Sequence, residues 1–539
     1  MHSSTNPISS FSPTGLGKTV DRALYEWKAA RTLLSDALQS YLAASATLRA
    51  VCTSSSHQPP EYLLVEEALT TVDSELDSLA EDAKCLFDMR ISLATMRNRS
   101  TTLAQINTLP PEILAYIFEL SGSSCALNYE DNLYDIMGVC AYWRGVVLHT
   151  ADLWTHIDID SRTLDRINNL LLERAKGYPI YLHVYEAEPD EGEVTQISKA
   201  IEVLAPYVSH ACILDLKSYS WSGGFVGAVL NLWLENGTGS LSKSLIVNRP
   251  NGHQTLSLSG SSPEDKRFHA SLDNAKGMLV PLSTLHLQRV KFDWNSGAYR
   301  NLIDLRLDFE LSPVDISVLQ LADILSSSPR LTILKLRSLE VLWAGDLRQF
   351  APITLGYLEV FYLNCHSLHV GLLLSLITLS GTSTELGLYI QGFDQIMHPL
   401  QAFFARSKIA TLYWPHYGHS LGSWLSISQS IPHLQTLVLD WLNMRYIEIE
   451  PPRSPSLAFS RVDCAVLLSC AVSLEGLKTL ISLHGIRIFR LERCTVIQGE
   501  ERDLHDVRSS LLEAYPELEC SISDTDSTWN LPCRAMFDR

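Results

Sequence analysis

Leu331-Thr332-Ile333-Leu334-Lys335-Leu336 is the stretch that decides the fold of most of this 539-residue chain. Its last three residues alternate as a strand does, with Leu334 and Leu336 on one face and Lys335 on the other. The same spacing recurs as Leu282-x-x-Leu285-x-Leu287, Leu302-x-x-Leu305-x-Leu307, Leu355-x-x-Leu358-x-Val360 and Ile409-x-x-Leu412-x-Trp414. Further copies are Leu434-x-x-Leu437-x-Leu439 and Ile486-x-x-Phe489-x-Leu491, with a weaker one at Ser383-x-x-Leu386-x-Leu388 and an earlier one at Ala211-x-x-Leu214-x-Leu216. From position 282 the copies start 20–29 residues apart, and the final gap of 52 residues equals two intervals of 26 with one degenerate copy hidden between. Helical stretches such as 316–325 and 421–430 lie between copies, and Pro329 and Pro432 stop them two residues before the next pattern residue.

A strand and a helix repeating at this interval is the leucine-rich-repeat signature. One such unit cannot bury its own leucines, so the units are expected to stack into an α/β solenoid. The asparagine or cysteine expected three positions beyond the last pattern residue is here Val290, Glu310, Leu339, Leu363, Tyr417 and Leu442, and only Cys494 matches. An irregular arc is therefore expected. A helix near 504–514 and a strand around 518–522 are expected to cap it. Residues alternating with the leucines would form a binding face: His286, Gln288, Arg306, Asp308, Lys335, Arg337, Glu359, Phe361, Tyr413, Val438, Asp440, Arg490 and Glu492.

Upstream, Ile106-Asn-Thr-Leu-Pro-Pro-Glu-Ile-Leu-Ala-Tyr-Ile-Phe118 reads as a helix start joined to an apolar stripe. Thr108 is a candidate N-cap or sits just before it, Pro110 and Pro111 suit a first turn, and Glu112 meets the positive end of the helix dipole. Ile113, Leu114, Ile117 and Phe118 recur at helical spacing, and a second stripe runs through Leu133, Ile136, Val139, Cys140, Trp143, Val146 and Val147.

The order Leu109-Pro110-x-Glu112-Ile113-Leu114-x-x-Ile117-Phe118, then Leu133, then Val139-Cys140-x-x-Trp143-Arg144, resembles the F-box, and Asp152-Leu-Trp-Thr-His-Ile157 looks like its continuation in F-box-like proteins of mushroom-forming fungi. The resemblance covers some 50 residues, and residues 121–131 (SGSSCALNYED) make the first interhelix connection longer than the compact pattern. It implies a helical module that docks a Skp-family adaptor and, through it, a cullin ubiquitin ligase, with Leu109, Pro110, Ile113, Leu114, Ile117, Phe118, Val139 and Trp143 as the adaptor-binding set. Some of these side chains must instead hold the module together, and the sequence alone does not separate the two roles.

At the amino-terminal end, Leu24, Trp27, Leu34, Leu38, Tyr41, Leu42 and Leu48 have helical spacing, and 54–60 (SSSHQPP) breaks it. Tyr62, Val65, Leu69, Val72, Leu76, Leu79, Ala83 and Leu86 then step alternately by three and four, a heptad pattern with an acidic outer face. The two helices can fold back as a hairpin, which is the plainer expectation, or the second can pair with another chain.

The bulk numbers are those of a packed, acidic protein: 46% hydrophobic residues, 60 Asp and Glu against 42 Lys and Arg, and a formal net charge of −18. No basic tract favours nucleic acid or an anionic membrane. The longest apolar run, near 370–379, is shorter than the roughly 20 residues of a membrane span, and residues 1–17 lack a secretory apolar core. Eleven scattered cysteines with no Cys-x-x-Cys pair suggest reduced thiols in the cytoplasm or nucleus.

Signs of catalysis are weak. Gly15-Leu-Gly17-Lys18-Thr19 ends like a phosphate loop, but Ser12 stands where its first glycine belongs. The acidic loop 186–193 lacks the ligand order of a calcium loop, and His416 and His419 read as surface histidines.

The expected architecture is α/β. A disordered leader spans 1–18, a helical hairpin or coiled coil 19–100, an F-box-like module 101–160, a leucine-rich-repeat-like solenoid with its cap 161–522, and a tail 523–539. The expected function is substrate recognition for a ubiquitin ligase, with an unknown protein substrate and no catalysis, cofactor or metal. The alternative is a repeat scaffold that recruits no ligase.

Overall fold

In the computed structural model, the described residues are 14–54, 59–98, 100, 103–121, 129–162, 164, 170–187, 197–258, 277–343, 351–380, 384–391, 396–415, 431–442, 461–497 and 503–523. They fall in two compact units, Met1–Thr108 and Leu109–Arg539.

The first unit holds two long helices, α1 (Thr14–Ser54) and α2 (Pro59–Asn98). Helix α1 begins inside the stretch expected to be disordered, so Gly15 to Thr19 are helical. Every described side chain of α1 is exposed, including Leu24, Trp27, Leu34, Leu38 and Tyr41, and the α2 seam residues Leu76, Leu79 and Leu86 are exposed as well. Burial thus assigns neither helix a partner. The side chains of Tyr62, Val65 and Leu69, and the connection at 55–58, lie outside the described residues.

In the second unit, three short helices, α3 (Pro111–Ser121), α4 (Tyr129–Val139) and α5 (Ala141–His149), lead into a parallel sheet of fourteen strands. The strands are β1 (His156–Asp160), β2 (Ile180–Glu186), β3 (Ala211–Ser218), β4 (Ser244–Asn248) and β5 (Thr284–Gln288). They continue as β6 (Asp304–Asp308), β7 (Ile333–Arg337), β8 (Val360–His366), β9 (Thr384–Gln391) and β10 (Ile409–Pro415). The last are β11 (Thr436–Asp440), β12 (Cys464–Leu468), β13 (Ile488–Glu492) and β14 (Glu519–Ser523). Their order in the sheet is their order in the chain.

The pairing register puts Ile157, Leu182, Leu214, Leu245, Leu285, Leu305, Leu334, Phe361, Leu386, Leu412, Leu437, Ala465 and Phe489 in one unbroken row. Each is at most 1% exposed, and all belong to a core that runs from Leu114 to Cys520. At about 25 cal/mol per Å² of apolar surface removed from water, burying this row and its neighbours stabilises the unit.

The register corrects several sequence expectations. Leu334 pairs with Phe361, so the repeat there is Leu358-x-x-Phe361-x-Leu363 and Phe361 points into the core, not onto the open face. Leu355 belongs to a side strand, Ile353–Leu355, paired with Ile377–Leu379. The hidden copy between 434 and 486 is β12, whose Ala465 and Leu467 occupy the pattern positions and whose Cys470 matches Cys494. Leu153 and Trp154 lie in a 3-10 turn, Ala151–Trp154, and the first strand starts after it at His156. Ile316 lies in a short strand, Val314–Ser317, and the helix begins after it with Ser317 and Gln320 as a capping box. The helix expected at 421–430, Tyr417, His416, His419, 188–193 and the tail 524–539 lie outside the described residues.

Where an asparagine was sought, the chain uses a backbone device. Arg289, Ser338, Trp441, Ser469 and Arg493 each follow a strand directly and adopt left-handed backbone, with φ between 50° and 58°. Each donates its N–H to the neighbouring repeat: Arg289 to Asp308 O (2.8 Å), Ser338 to Asn364 O (2.7 Å), Trp441 to Leu468 O (3.0 Å), Ser469 to Glu492 O (2.9 Å) and Arg493 to Ser523 O (2.9 Å). The strain, about 1–2 kcal/mol for a residue with a Cβ, is held by these inter-repeat bonds and by the burial of the next apolar residue, such as Val290 or Leu339.

Of the open-face residues, His286, Arg306, Asp308, Lys335, Tyr413, Val438, Asp440 and Glu492 are buried, Gln288, Arg337 and Arg490 are half-buried, and Glu359 is exposed. His286 Nε2 lies 2.9 Å and Arg306 Nη2 2.8 Å from Asp304 Oδ2. Burial pushes the Asp304 carboxyl up, but His286 and Arg306 outweigh it and hold the group below the usual carboxylate range. Tyr413, Val438, Cys464, Val466 and Leu468 form a second, smaller apolar cluster on this side of the sheet.

Three outcomes follow. Leu334→Ala should cost about 2–5 kcal/mol in urea unfolding. Ser469→Pro cannot keep φ near 50° or donate to Glu492, and should cost more than about 2 kcal/mol, whereas Ser469→Gly should be tolerated. A depressed carboxyl contributes stability above its unfolded value near pH 3.9, and loses it as pH falls through the folded value. The urea-midpoint gap between the natural chain and Asp304→Asn should therefore narrow from pH 7 to pH 3; a constant gap would contradict the assignment.

Candidate functional site

Helix α3 starts two residues later than a Thr108 cap would give. Pro111 is its first residue, and the Pro110 carbonyl accepts from Ile113 N and Leu114 N, each at 3.1 Å. Thr108 instead closes a 3-10 turn, Gln105–Thr108, by donating its hydroxyl to Gln105 O. Glu112 sits in the first turn of α3, as its charge favours. Eleven residues are too few for a stable isolated helix, so α3 depends on what it buries.

It buries Leu114 and Phe118, which are 0% and 2% exposed and four residues apart on one face. They join Leu133 and Met137 of α4, Val146 and Val147 of α5, and Leu153 and Trp154 of the 3-10 turn. The Phe118 and Trp143 rings meet at 4.9 Å with a 52° tilt, a favourable offset geometry. Cys140 caps α5, its sulfur accepting from Trp143 N at 3.4 Å, while Arg144 Nε donates to Met137 O at 3.2 Å. Trp154 is fixed twice: its indole N–H donates to Val147 O at 2.8 Å, and the Arg174 guanidinium lies 4.3 Å over its ring. The short Val-Cys-x-x-Trp-Arg sequence thus carries a helix cap, a ring contact and a chain-reversing hydrogen bond.

A neighbouring face of α3 stays open. Ile113, Tyr116, Ile117 and Leu120 are all exposed, Ile113 by 48% and Leu120 by 66%. Their spacing of three, four and seven from Ile113 places them on one stripe. Val139 is exposed at the end of α4, and Pro110 just before α3. Tyr142 is exposed on α5, its hydroxyl donating to Leu109 O at 3.2 Å.

The expected adaptor set therefore divides. Pro110, Ile113, Ile117 and Val139 have surface to offer. Leu109 and Trp143 are half-buried, packed against the core. Leu114 and Phe118 are corrected to core residues, because a side chain without exposed surface cannot also meet a partner. Tyr116 and Leu120 complete the open stripe, and the sequence reading passed over them. Helical spacing from Ile113 would have found both.

Residues 106–160 match the family model described as F-box-like. The chain carries an F-box-like domain. The match ends at Asp160, the last residue of β1, so the domain includes the first strand of the sheet as well as the helices. No curated protein matches the chain. Domains of this family typically bind Skp-type adaptors, which gives the domain a role in ubiquitin-ligase adaptor binding or protein interaction.

Among the described residues there is no group of three or more His, Cys, Asp or Glu side chains arranged to hold a metal ion, and no helix long and apolar enough to cross a membrane. The described cysteines are free thiols, and Cys212, Cys365, Cys464, Cys470, Cys494 and Cys520 are buried.

The two faces of α3 respond differently to charge. Ile117→Asp should leave the melting temperature within a few degrees of the natural chain. Leu114→Asp buries a carboxylate in the core and should cost more than about 3 kcal/mol, read by circular dichroism on heating.

Proposed function

We propose that the chain is a substrate-recognition subunit of a Skp–cullin–F-box type ubiquitin ligase. In this reading the F-box-like domain docks the Skp-family adaptor, and the parallel sheet, a leucine-rich-repeat-like solenoid, presents a protein substrate in the cytoplasm or nucleus. The observation that carries the reading is the open stripe of Ile113, Tyr116, Ile117 and Leu120. Four exposed apolar side chains on one short helix mark an interaction surface. Such a receptor needs no catalytic group of its own, since bond formation belongs to the conjugating enzyme that the ligase recruits.

A second reading has one observation in its favour. The core of the F-box-like domain is continuous with the core of the sheet, as it would be in a terminal cap of a repeat scaffold that recruits no ligase. A cap, however, keeps its outer face polar, and α3 does not.

Co-purification of the full chain with a Skp-family adaptor separates the two. The natural chain should retain the adaptor, and the double variant Ile113→Asp with Ile117→Asp should lose it with unchanged circular dichroism. Failure of the folded natural chain to retain any adaptor would favour the scaffold.

A further inference from the structure

At the carboxyl ends of β7 to β11, on the side of the sheet away from the main core, a cavity of about 390 Å³ crosses five adjacent strands. That volume falls within the roughly 300–1,000 Å³ of ligand sites. Its floor is Asp440 and Tyr413, 2% and 5% exposed, with the Tyr413 hydroxyl donating to Asp440 Oδ2 at 2.6 Å. Tyr362 and Tyr389 form half-buried walls, and Trp441 stands at the rim with more than half its surface exposed. The left-handed backbone of Trp441 is the same device that closes the other repeats; here it sets an indole beside an acid.

Arg337 also lines the cavity, but carboxylates already engage it. One guanidinium nitrogen contacts Glu310, and another lies 3.6 Å from the fully buried Asp308. A further cation, Lys335, stands beside Tyr362 in the pairing register and does not line the cavity. Among the described residues at and beside the cavity, three carboxylates (Asp308, Glu310, Asp440) against two cations (Arg337, Lys335) leave one unit of negative charge. An anion entering would meet Asp440 and Glu310, and the one guanidinium among the described lining residues, Arg337, is already held by carboxylates. A cation would meet a buried carboxylate, which makes the stronger, charge-assisted kind of hydrogen bond, and aromatic faces, which attract positive charge. The net charge of −18 also favours encounter with a basic partner.

We infer that this cavity is a recognition pocket for an arginine or lysine side chain of a protein bound across the sheet. The inference deepens the proposed substrate-receptor role and rests on it for the nature of the ligand.

The test is selection from a randomised, end-blocked nonapeptide library by the immobilised full chain, with adaptor retention measured on the same preparation. The natural chain should enrich peptides with Arg or Lys at one fixed position over those with Gln or norleucine there. Asp440→Asn keeps the shape and an acceptor for Tyr413, and should weaken the selected peptide about tenfold or more, the scale of one hydrogen bond to a charged group. Arg337→Gln should keep the cation preference. Enrichment of Asp, Glu or phosphorylated residues, lost in Arg337→Gln, would overturn the inference, as would equal enrichment by Asp440→Asn or no enrichment at all. Free arginine amide binding as tightly as the peptides would overturn it in favour of a small-molecule site. A chain that retains adaptor but selects no cationic peptide refutes the pocket alone. A chain that selects cationic peptides but retains no adaptor leaves the pocket standing and refutes the ligase role.

Discussion

No strand of this sheet can bury its leucine alone. Leu305 is covered because Leu285 and Leu334 flank it at the same height, and each of those relies on its own neighbours in turn. Parallel pairing in chain order keeps the rows straight, and the inter-repeat bonds from Arg289, Ser338, Trp441, Ser469 and Arg493 hold the register where each strand ends. Stability in such a stack is shared between neighbours, so its ends need other cover. At the carboxyl-terminal end the helix Leu504–Ala514 packs against β14. At the amino-terminal end α4 packs against β1, and the indole of Trp154 is clamped between Val147 O and Arg174.

The F-box-like domain is therefore tied mechanically to the sheet it precedes. Helix α3 faces two ways: Leu114 and Phe118 anchor it in the shared core, and Ile113, Tyr116, Ile117 and Leu120 turn outward. A partner held on the outward stripe would be held at a fixed orientation to whatever the sheet binds, because no linker intervenes between α5, the 3-10 turn and β1. Rigid spacing of this kind suits a receptor that must offer one bound protein to another.

The repeat interval, most strand positions and the degenerate copy at β12 were legible in the sequence, because burying a leucine every other position leaves a period that composition does not obscure. The register at β8 was not legible: Leu355, Leu358 and Val360 imitate the pattern, and only the pairing of Leu334 with Phe361 distinguishes them. The left-handed residues were invisible, since Arg, Ser, Trp, Ser and Arg share no chemistry and are selected by backbone position. In the F-box-like stretch the order of residues identified the domain, but an apolar stripe does not declare which half is core. Ile113 and Leu114 are alike in type and one residue apart, yet helix rotation puts one outside and the other within. The cavity at Asp440 was missed as a unit because its walls come from six repeats between Glu310 and Trp441, and only the pairing of the strands brings them together.

The most direct measurement is site-specific photo-crosslinking to a Skp-family adaptor from a benzoylphenylalanine placed at position 116 or 120 of the full chain, with position 319 as an exposed control on the repeat region. The account predicts adaptor crosslinks from 116 and 120 and none from 319. Crosslinks from neither α3 position, in a chain that still binds the adaptor, would contradict the assignment of the open stripe as the docking surface.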